Sequence, residues 1–467
     1  MATDRTRQRS FPHPLTLLVL CVAVAAVLTW LLPAGQFDRQ PDPATGRDVV
    51  VAGSYHAVEP SPVGPFHMLM AIPKGIVNGA EIIMLVFIMG GAFTVVDRAG
   101  ALKGGFEALV RGLGRREVLI VPVAALFYAA GGVLFNMGEE IIAMIPVLVL
   151  VVARLGFDPL VAVAMSTGAA VVGSAFSPMN PFQVLIAQQL AQLPLLSAAA
   201  FRVGFLALAL FTWVGMTMRF ALRTRAEARA AAPATGAAGV VSAAAAAPVD
   251  DGTARPRDLL IIFLVFVTFT IYVYGALELD WGFNELGAIF FLLGIVAGII
   301  GRLGLNGTAR AYVEGFRDMA LAAMLIGVAR GIYVVLSEGH VIDTIVQGMF
   351  QPLGHLPAAV AALGMLPVHT LIHVPVPSVS GQAALTMPIL VPLADLLQIS
   401  RQVTVLAYQY GAGLGDLFTP TSGALMAVLA AGGVRYDRWL RFVLPMWAVM
   451  MAIGAVAVLT AVLIGLQ

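Results

Sequence analysis

The sequence is poor in charge. Only 11% of its 467 residues are charged, and the formal net charge is +1, whereas a soluble globular protein carries about 25% charged residues. Hydrophobic residues make up 60% of the chain, and several apolar runs reach the roughly 20 residues that span the hydrocarbon core of a bilayer. The composition therefore predicts one polytopic membrane protein in contact with lipid, and it gives no reason to expect nucleic acid as a partner.

Cysteine and the motifs of intramembrane enzymes are also scarce. The single cysteine, Cys21, lies in an apolar run, which excludes an internal disulfide and a metal site built on cysteines. The sequence has no G-x-S-x-G or HExxH motif and no phosphate-binding loop, so nucleophilic, zinc-dependent and ATP-driven chemistry lack their usual groups. We therefore expect neither an enzyme nor an organic cofactor.

The most informative stretch of the chain occurs twice. Residues 136–180 and 378–422 align without a gap at an offset of 242 positions, and an offset of 240 aligns residues further upstream. Prolines and glycines that recur where apolar runs are interrupted indicate an internal duplication, which decides the architecture. The matched pairs include Pro146 and Pro388, Gly173 and Gly415, Phe176 and Phe418, Pro178 and Pro420, Gly75 and Gly315, and Gly91 and Gly331.

The first half, residues 1–224, begins with basic residues and an apolar run that is too long for a cleaved signal peptide. Basic residues favour the cytoplasmic side of a membrane, so the N-terminus is expected inside the cell. Two half-length apolar runs around a polar tip, at about 118–153, predict a re-entrant hairpin that enters from the cytoplasm. Pro178 and Pro181 interrupt the following apolar run, at about 160–190, and predict a broken helix.

The second half repeats this order after a linker. Residues 225–257 are low in complexity and predict a flexible cytoplasmic tether. In residues 258–467 a second hairpin is expected at about 357–397 and a second broken helix at about 403–430. The distribution of basic residues makes the second hairpin enter from outside, so the two halves are expected to be inverted repeats, an arrangement typical of secondary transporters.

Four motifs in these breaks resemble those of the YfcC-like carriers, which are amino-acid antiporters related to the anaerobic C4-dicarboxylate carriers in the ion transporter superfamily. The motifs are GEE-x-x-A-x-x-P, SPMNPF, SGQAALTMPILVPLADLL and TPTSG. The resemblance covers the chain except the linker. It implies an all-α homodimer in the bacterial cytoplasmic membrane, with a scaffold domain and a transport domain that moves like an elevator. Sodium-coupled members of the superfamily carry Ser-Asn-Thr at the hairpin tips, which this chain does not.

Charged residues at membrane depth are costly and mark candidate functional sites. Glu139 and Glu140 lie at the first tip, where one could cap a helix, carry a proton or hold a substrate amine. Asp416 lies in the second broken helix, where it could cap the helix or act in transport. Arg330 interrupts an apolar span and could hold one of these acids or bind a substrate carboxylate through its planar guanidinium.

Polar residues at the breaks are the other candidates for contacts with substrate or ion. Four of them, Asn136, Asn180, Ser380 and Thr421, could hold sodium, and no other metal site is expected. His369 and His373 lie four residues apart without a third ligand, which favours packing or hydrogen bonding over a metal site, with protonation at acidic pH as the third alternative. The remaining candidates are Gly138, Ser177, Ser378, Gly381, Gln382, Thr419 and Ser422.

These features favour a secondary carrier. A channel would need a continuous polar stripe along several spans, which the sequence lacks. Three acids and one arginine at depth favour a substrate with both an amine and a carboxylate, so we expect a small amino acid, with basic ones among the candidates. A C4-dicarboxylate, another small carboxylate or a peptide is the alternative substrate, and a proton, sodium or a second substrate could be the coupled species.

Overall fold

The protein is mainly helical. A computed structural model describes residues 12–41, 48–102, 104, 118–231, 255–279 and 281–466. Two π-helical turns, Ala164–Gly168 and Pro181–Leu185, and a 3-10 turn, Gln351–His355, join some of the helices. The helices are α1 (Pro14–Leu31), α2 (Pro65–Asn78), α3 (Ala80–Arg98), α4 (Ile120–Phe135), α5 (Glu139–Arg154), α6 (Pro159–Val163), α7 (Ala169–Ala175), α8 (Ile186–Leu190), α9 (Ala199–Ala231), α10 (Pro256–Glu278), α11 (Phe283–Ile300), α12 (Gly304–Glu338), α13 (Ile342–Phe350), α14 (Ala358–Ile372), α15 (Val379–Leu396), α16 (Arg401–Gly415), α17 (Gly423–Ala431) and α18 (Tyr436–Leu463).

Seven helices of the described chain are long and apolar enough to cross a membrane, judged by length and composition. They are α1, α3, α9, α11, α12, α15 and α18. Many large apolar side chains on these helices face outward, as on α1, where Trp30 is 64% and Leu31 71% exposed. An apolar exterior of this kind is what a lipid environment requires, because lipid chains cannot satisfy polar groups.

The expectation of an all-α chain is wrong for the segment between α1 and α2. Strand β1 (Gly35–Gln36) pairs antiparallel with β4 (His56–Ala57), and β2 (Arg39–Pro41) pairs antiparallel with β3 (Asp48–Val50). This polar segment lies outside the apolar runs, so its backbone groups are satisfied by strand pairing and by side chains.

The side chain of Asp343, on α13, anchors this strand segment. Its carboxylate accepts hydrogen bonds from the Phe37 backbone N–H at 3.0 Å and from the Arg39 guanidinium at 2.8 and 2.9 Å. A nearly fully buried carboxylate with three such bonds ties the strands to the helical body.

Helix α2 was not expected from the sequence, although Pro65 at its first turn is a common helix start. It crosses α12 at very short range. A Cβ atom on Gly75 would lie 2.4 Å from the carbonyl oxygen of Gly327 and 2.5 Å from the nitrogen of Gly331. Glycine is therefore required at this crossing, which fixes the part of α12 that carries Arg330.

Helix α9 continues to Ala231, seven residues into the predicted linker 225–257. The extension reads RAEARAA, and Ala, Arg and Glu are among the strongest helix formers. At the other end α10 begins at Pro256. The rest of the predicted linker, residues 232–254, lies outside the described residues.

The four predicted breaks coincide with helix ends. Residues 136–138 separate α4 from α5, residues 176–180 follow α7, residues 373–378 separate α14 from α15, and residues 416–422 separate α16 from α17.

The helices around the breaks pack in a crossed pattern. Helix α4 packs along α7, and α14 packs along α16, whereas α5 packs against α17 and α15 against α8. Each hairpin therefore contacts the broken helices of both halves, which brings the four breaks together.

Candidate functional site

Residues from three of the four breaks line one cavity of about 1000 Å³, and Ser174 and Phe182, which flank the break at residues 176–180, line it as well. Helix α12 and the strand segment complete its wall. Of the residues singled out from the sequence, the cavity is lined by Asn136, Gly138, Glu139, Glu140, Arg330, Ser378, Ser380, Gly381, Asp416, Thr421 and Ser422. Ser177, Asn180, Gln382 and Thr419 are fully buried and do not line it.

At the first tip the two adjacent glutamates have different positions. Helix α4 ends at Asn136, which adopts the left-handed conformation (φ 60°) that Asn tolerates better than most residues. The Glu140 carboxylate is 3% exposed and accepts a hydrogen bond from the Gly138 N–H at 3.0 Å. Glu140 thus caps α5, and Glu139 is the more exposed acid at the cavity wall.

Most polar groups of the first broken helix point away from the cavity and bond to α4 or to the break itself. The Ser177 hydroxyl donates to the Val133 carbonyl at 2.8 Å and accepts from the Asn180 N–H at 2.8 Å. The Asn180 amide donates to the Gly132 carbonyl at 2.7 Å, and its oxygen caps the Pro181–Leu185 turn. These two residues hold the break against α4 and are not placed to meet a substrate or a sodium ion in the cavity.

At the second tip the cap is uncharged. The Ser378 hydroxyl accepts from the Gly381 N–H at 3.3 Å. No acid is present between Ser378 and Gln382, so the N-terminus of α15 reaches the cavity with hydroxyl and backbone N–H groups. The first backbone N–H groups of a helix have no partner within the helix and attract anions.

The second broken helix presents one acid and two hydroxyls. Asp416 follows α16, and its side chain is 29% exposed at the cavity. The Thr421 hydroxyl donates to the Val374 carbonyl at 2.6 Å, and the Ser422 hydroxyl caps α17. Thr419 donates to the Gly415 carbonyl at 2.7 Å and is buried away from the cavity.

Arg330 is the cation at the depth of the breaks. It lines the cavity and makes no side-chain hydrogen bond and no ion pair with any residue that the structure describes. Its charge attracts the Glu139 carboxylate, which the charge of Asp416 repels. Of the two roles considered for Arg330, a direct ion pair with these acids is not formed, and the guanidinium faces the cavity.

His373, which the sequence assigned to packing or hydrogen bonding, forms two hydrogen bonds, and its partners could not be predicted. His373 is fully buried, and its Nε2 lies 2.9 Å from the Asp416 carboxylate. No local pattern links two residues 43 positions apart; the signal was only that both lie at breaks of the same half. Asn78, Thr167, Tyr272 and Tyr333 also line the cavity.

No cluster of three His, Cys, Asp or Glu side chains that could hold a metal is found among the described residues. Of the four residues considered for sodium, Asn136, Ser380 and Thr421 line the cavity, and Asn180 does not.

The family model described as "DcuC: C4-dicarboxylate anaerobic carrier" matches residues 11–463 of the chain. The chain belongs to this family. It is 31% identical to the Escherichia coli K12 protein named "Putative basic amino acid antiporter YfcC", over 98% of each chain. It is 27% identical to an uncharacterized protein of Haemophilus influenzae Rd, over 99% of each chain. The resemblance to the YfcC-like carriers is thereby confirmed, and this DcuC-family member is a multi-pass membrane transporter.

Two solved transporter structures are similar at a low level. The YdaH transporter of Alcanivorax borkumensis is 17% identical with a TM-score of 0.44, covering 97% of this chain and 99% of YdaH. MtrF of Neisseria gonorrhoeae, described as illuminating a class of antimetabolite efflux pumps, is 18% identical with a TM-score of 0.44, covering 98% of this chain and 96% of MtrF.

Proposed function

We propose that this DcuC-family protein is a secondary antiporter that exchanges a small basic amino acid across the bacterial cytoplasmic membrane. The observation that carries the proposal is that Arg330, without an ion-pair partner among the described residues, lines the same cavity as Glu139 and Asp416. An amino acid with a cationic side chain offers one carboxylate and two cationic groups, which match the charges of these three residues. Of the other charged residues at the cavity, Arg39 and Asp343 pair with each other, and Glu140 accepts a hydrogen bond from Gly138. The name of the E. coli relative, which refers to basic amino acids, supports the same substrate class.

The carboxylate of the substrate binds between Arg330 and the N-terminus of α15. The residues Ser378, Ser380 and Gly381 at this helix end are neutral, so no side chain of the tip competes with a ligand carboxylate. The dipole of α15 and the guanidinium both favour an anion there.

The cationic groups of the substrate bind Glu139 and Asp416. At the first tip the N-terminus of α5 is already capped by Glu140, so an anionic ligand would meet two carboxylates. Placing like charges next to each other at a site without water costs on the order of several kcal/mol in protein interfaces, and we expect a similar cost here. The same repulsion disfavours a dicarboxylate, because the other arginine that lines the cavity, Arg39, is already paired with Asp343.

A C4-dicarboxylate is the second candidate substrate because the matching family model is named for it. It requires that one or more of the cavity acids be protonated when the ligand is bound. The uptake experiment below distinguishes the two substrates directly.

The two halves, residues 1–224 and 258–467, act as inverted repeats, with two re-entrant hairpins and two broken helices that move together. Helices α3, α11 and α12 pack on one another and form the scaffold, and the hairpins and broken helices form the transport domain. Their movement past the scaffold in a homodimer, with the N-terminus inside the cell, gives alternating access of the elevator type. A proton or sodium is the coupled ion.

The test is counterflow in proteoliposomes. Separate sets are preloaded with unlabelled arginine, glutamate or succinate, and the labelled compound is offered outside in sodium and in potassium buffer. We expect labelled arginine to accumulate, Arg330→Ala to abolish its accumulation and Glu139→Gln to reduce it. The matched control is Asp395→Asn, because Asp395 is half-exposed on α15 and pairs with Arg401 at 2.7 Å, away from the cavity.

Each outcome of this experiment assigns or removes a substrate class. Accumulation of succinate alone would replace the amino acid by a dicarboxylate. Accumulation of glutamate alone would show that the cavity acids are neutralised. Absence of counterflow with all three preloads, from protein that is monodisperse and thermally stable, would contradict the proposal.

A further inference from the structure

A chain of hydrogen bonds leads from the buried core to the cavity. The Gln382 amide nitrogen lies 2.8 Å from the His369 carbonyl oxygen, and its amide oxygen lies 3.1 Å from Nδ1 of His373. Nε2 of His373 lies 2.9 Å from the Asp416 carboxylate. His373 and Gln382 are fully buried, whereas Asp416 reaches the cavity.

The orientation of the Gln382 amide follows from its neighbour. The carbonyl oxygen of His369 can only accept, so the amide nitrogen of Gln382 must face it. The amide oxygen is then turned toward His373, and an oxygen can only accept as well. Nδ1 of His373 therefore carries a hydrogen and donates it to Gln382.

The hydrogen on Nδ1 of His373 determines how many protons His373 and Asp416 hold together. Since Nδ1 already carries one hydrogen, a hydrogen bond across 2.9 Å requires a further proton, shared between Nε2 and the carboxylate. The pair is then imidazolium with carboxylate or imidazole with carboxylic acid, and its net charge is zero in either form. Without the shared proton the pair has a net charge of −1, and two lone pairs face each other.

We propose that His373 and Asp416 hold the proton that is exchanged for the cationic substrate, a role that rests on the proposed antiport function. When a cationic group enters the cavity, the shared proton leaves to cavity water. The Asp416 carboxylate, released from His373, binds the cationic group. When the substrate leaves, a proton from water rebinds between Nε2 and Asp416, so one positive charge replaces another at each step.

Other titratable groups surround the pair but do not replace it. Glu139 and Arg330 line the cavity that Asp416 faces, on α5 and α12. His369 lies beyond Gln382 and accepts from its amide at Nδ1, which fixes His369 as a neutral ring. The ring of Tyr408 contacts His369, and its hydroxyl donates to the Val379 carbonyl at 2.6 Å.

Proton release on substrate binding tests the exchange. Arginine is added to the purified full-length protein in weakly buffered detergent solution, and bound arginine and released protons are measured together. We expect about one proton per bound arginine, because the shared proton belongs to the pair. His373→Gln should bind arginine without release, and Asp395→Asn, the exposed matched control, should release as the wild type does.

An acid titration of the protein without substrate tests the proton site even if the proposed substrate is wrong. Proton uptake is measured between about pH 8 and pH 5, the range in which histidine sites titrate. We expect His373→Gln and Asp416→Asn to remove the same step, and Asp416→Glu to restore it, because a shared proton is lost when either partner is lost. Variants are compared only after gel filtration and thermal unfolding show folded protein.

The outcomes separate the two proposals. If no arginine binds but the titration step is shared, the substrate assignment fails and the proton site stands. If arginine binds to the wild type with no proton released, or if the two variants leave the titration unchanged, His373 and Asp416 form a structural hydrogen bond and the proton site is overturned.

Discussion

The two hairpin tips align with each other in the sequence and differ in charge. At the offset of 242 positions, Asn136 matches Ser378 and Glu139 matches Gly381. The first tip caps its helix with a carboxylate, through the 3.0 Å bond from the Gly138 N–H to Glu140. The second tip caps its helix with a hydroxyl and leaves the N-terminus of α15 without negative charge.

The two broken helices differ in the opposite sense. Ser174 and Asp416 align at the same offset, and each ties its helix break to the neighbouring hairpin. The Ser174 hydroxyl bonds to the Asn136 amide oxygen at 2.5 Å, and the Asp416 carboxylate bonds to His373 at 2.9 Å. The aligned helix ends thus differ in charge: the acids lie at the hairpin tip in the first half and at the broken helix in the second.

Of the substitutions considered, removing the positive charge of Arg330 should have the largest effect on arginine transport. We expect Arg330→Ala to lower arginine transport by about 100-fold or more, since truncating one member of a desolvated set of charges costs about 2–5 kcal/mol. Arg330→Lys should retain part of the activity, because it keeps the charge and loses the planar geometry. The rate of counterflow at subsaturating arginine measures both variants. Wild-type rates in Arg330→Ala would show that the guanidinium does not bind the substrate.

Making the second tip like the first should have the next largest effect. Gly381→Glu places a carboxylate at the position equivalent to Glu139, and we expect arginine affinity to fall about 10- to 100-fold, the loss of one hydrogen bond to a charged group. Gly381→Gln is the matched neutral control, since an added Cβ already meets the Ser378 hydroxyl at 3.2 Å. Binding is measured by isothermal calorimetry. Equal losses in both variants would mean that bulk, and not charge, excludes the ligand.

Substitutions of the two adjacent glutamates of the first tip should have the smallest effect on transport. One should lower the stability of the protein, and the other should weaken substrate binding. Glu140→Ala removes the cap of α5 and should lower the free energy of unfolding by about 1–2 kcal/mol with little change in KM. Glu139→Ala should raise KM for arginine and leave the unfolding temperature nearly unchanged. Thermal unfolding in detergent and counterflow kinetics measure the two properties. The reverse result would exchange the roles of the two residues.

The membrane character and the positions of the breaks could be predicted from sequence, because apolar runs and clustered prolines and glycines act locally. Helix α2 was missed because the internal Pro73 and the short length of this segment hid it. The strands β1 to β4 were missed because each has only two or three residues, too few for an alternating pattern to be recognised.

The orientation of polar residues at the breaks could not be predicted. The direction of a side chain follows from helical periodicity only within a helix. Beyond a helix end, the sequence therefore does not predict that Ser177 and Asn180 are buried away from the cavity whereas Thr421 lines it. The same reason applies to His373, whose contact with Asp416 depends on the path of the segment 373–378. The charged candidates could be identified from the sequence, because charged residues are rare within apolar spans.

The proposed division of charges is that Arg330 binds the carboxylate of the substrate, Glu139 its side-chain cation and Asp416 its α-ammonium. It is tested most directly by measuring the binding of arginine, of agmatine, which lacks the carboxylate, and of citrulline, which lacks the side-chain charge, to the wild type, Arg330→Ala and Glu139→Gln. Arg330→Ala should weaken arginine and citrulline and leave agmatine unaffected, whereas Glu139→Gln should weaken arginine and agmatine and leave citrulline unaffected. If both variants weaken all three ligands equally, Arg330 and Glu139 do not bind different groups of the substrate and this division is contradicted.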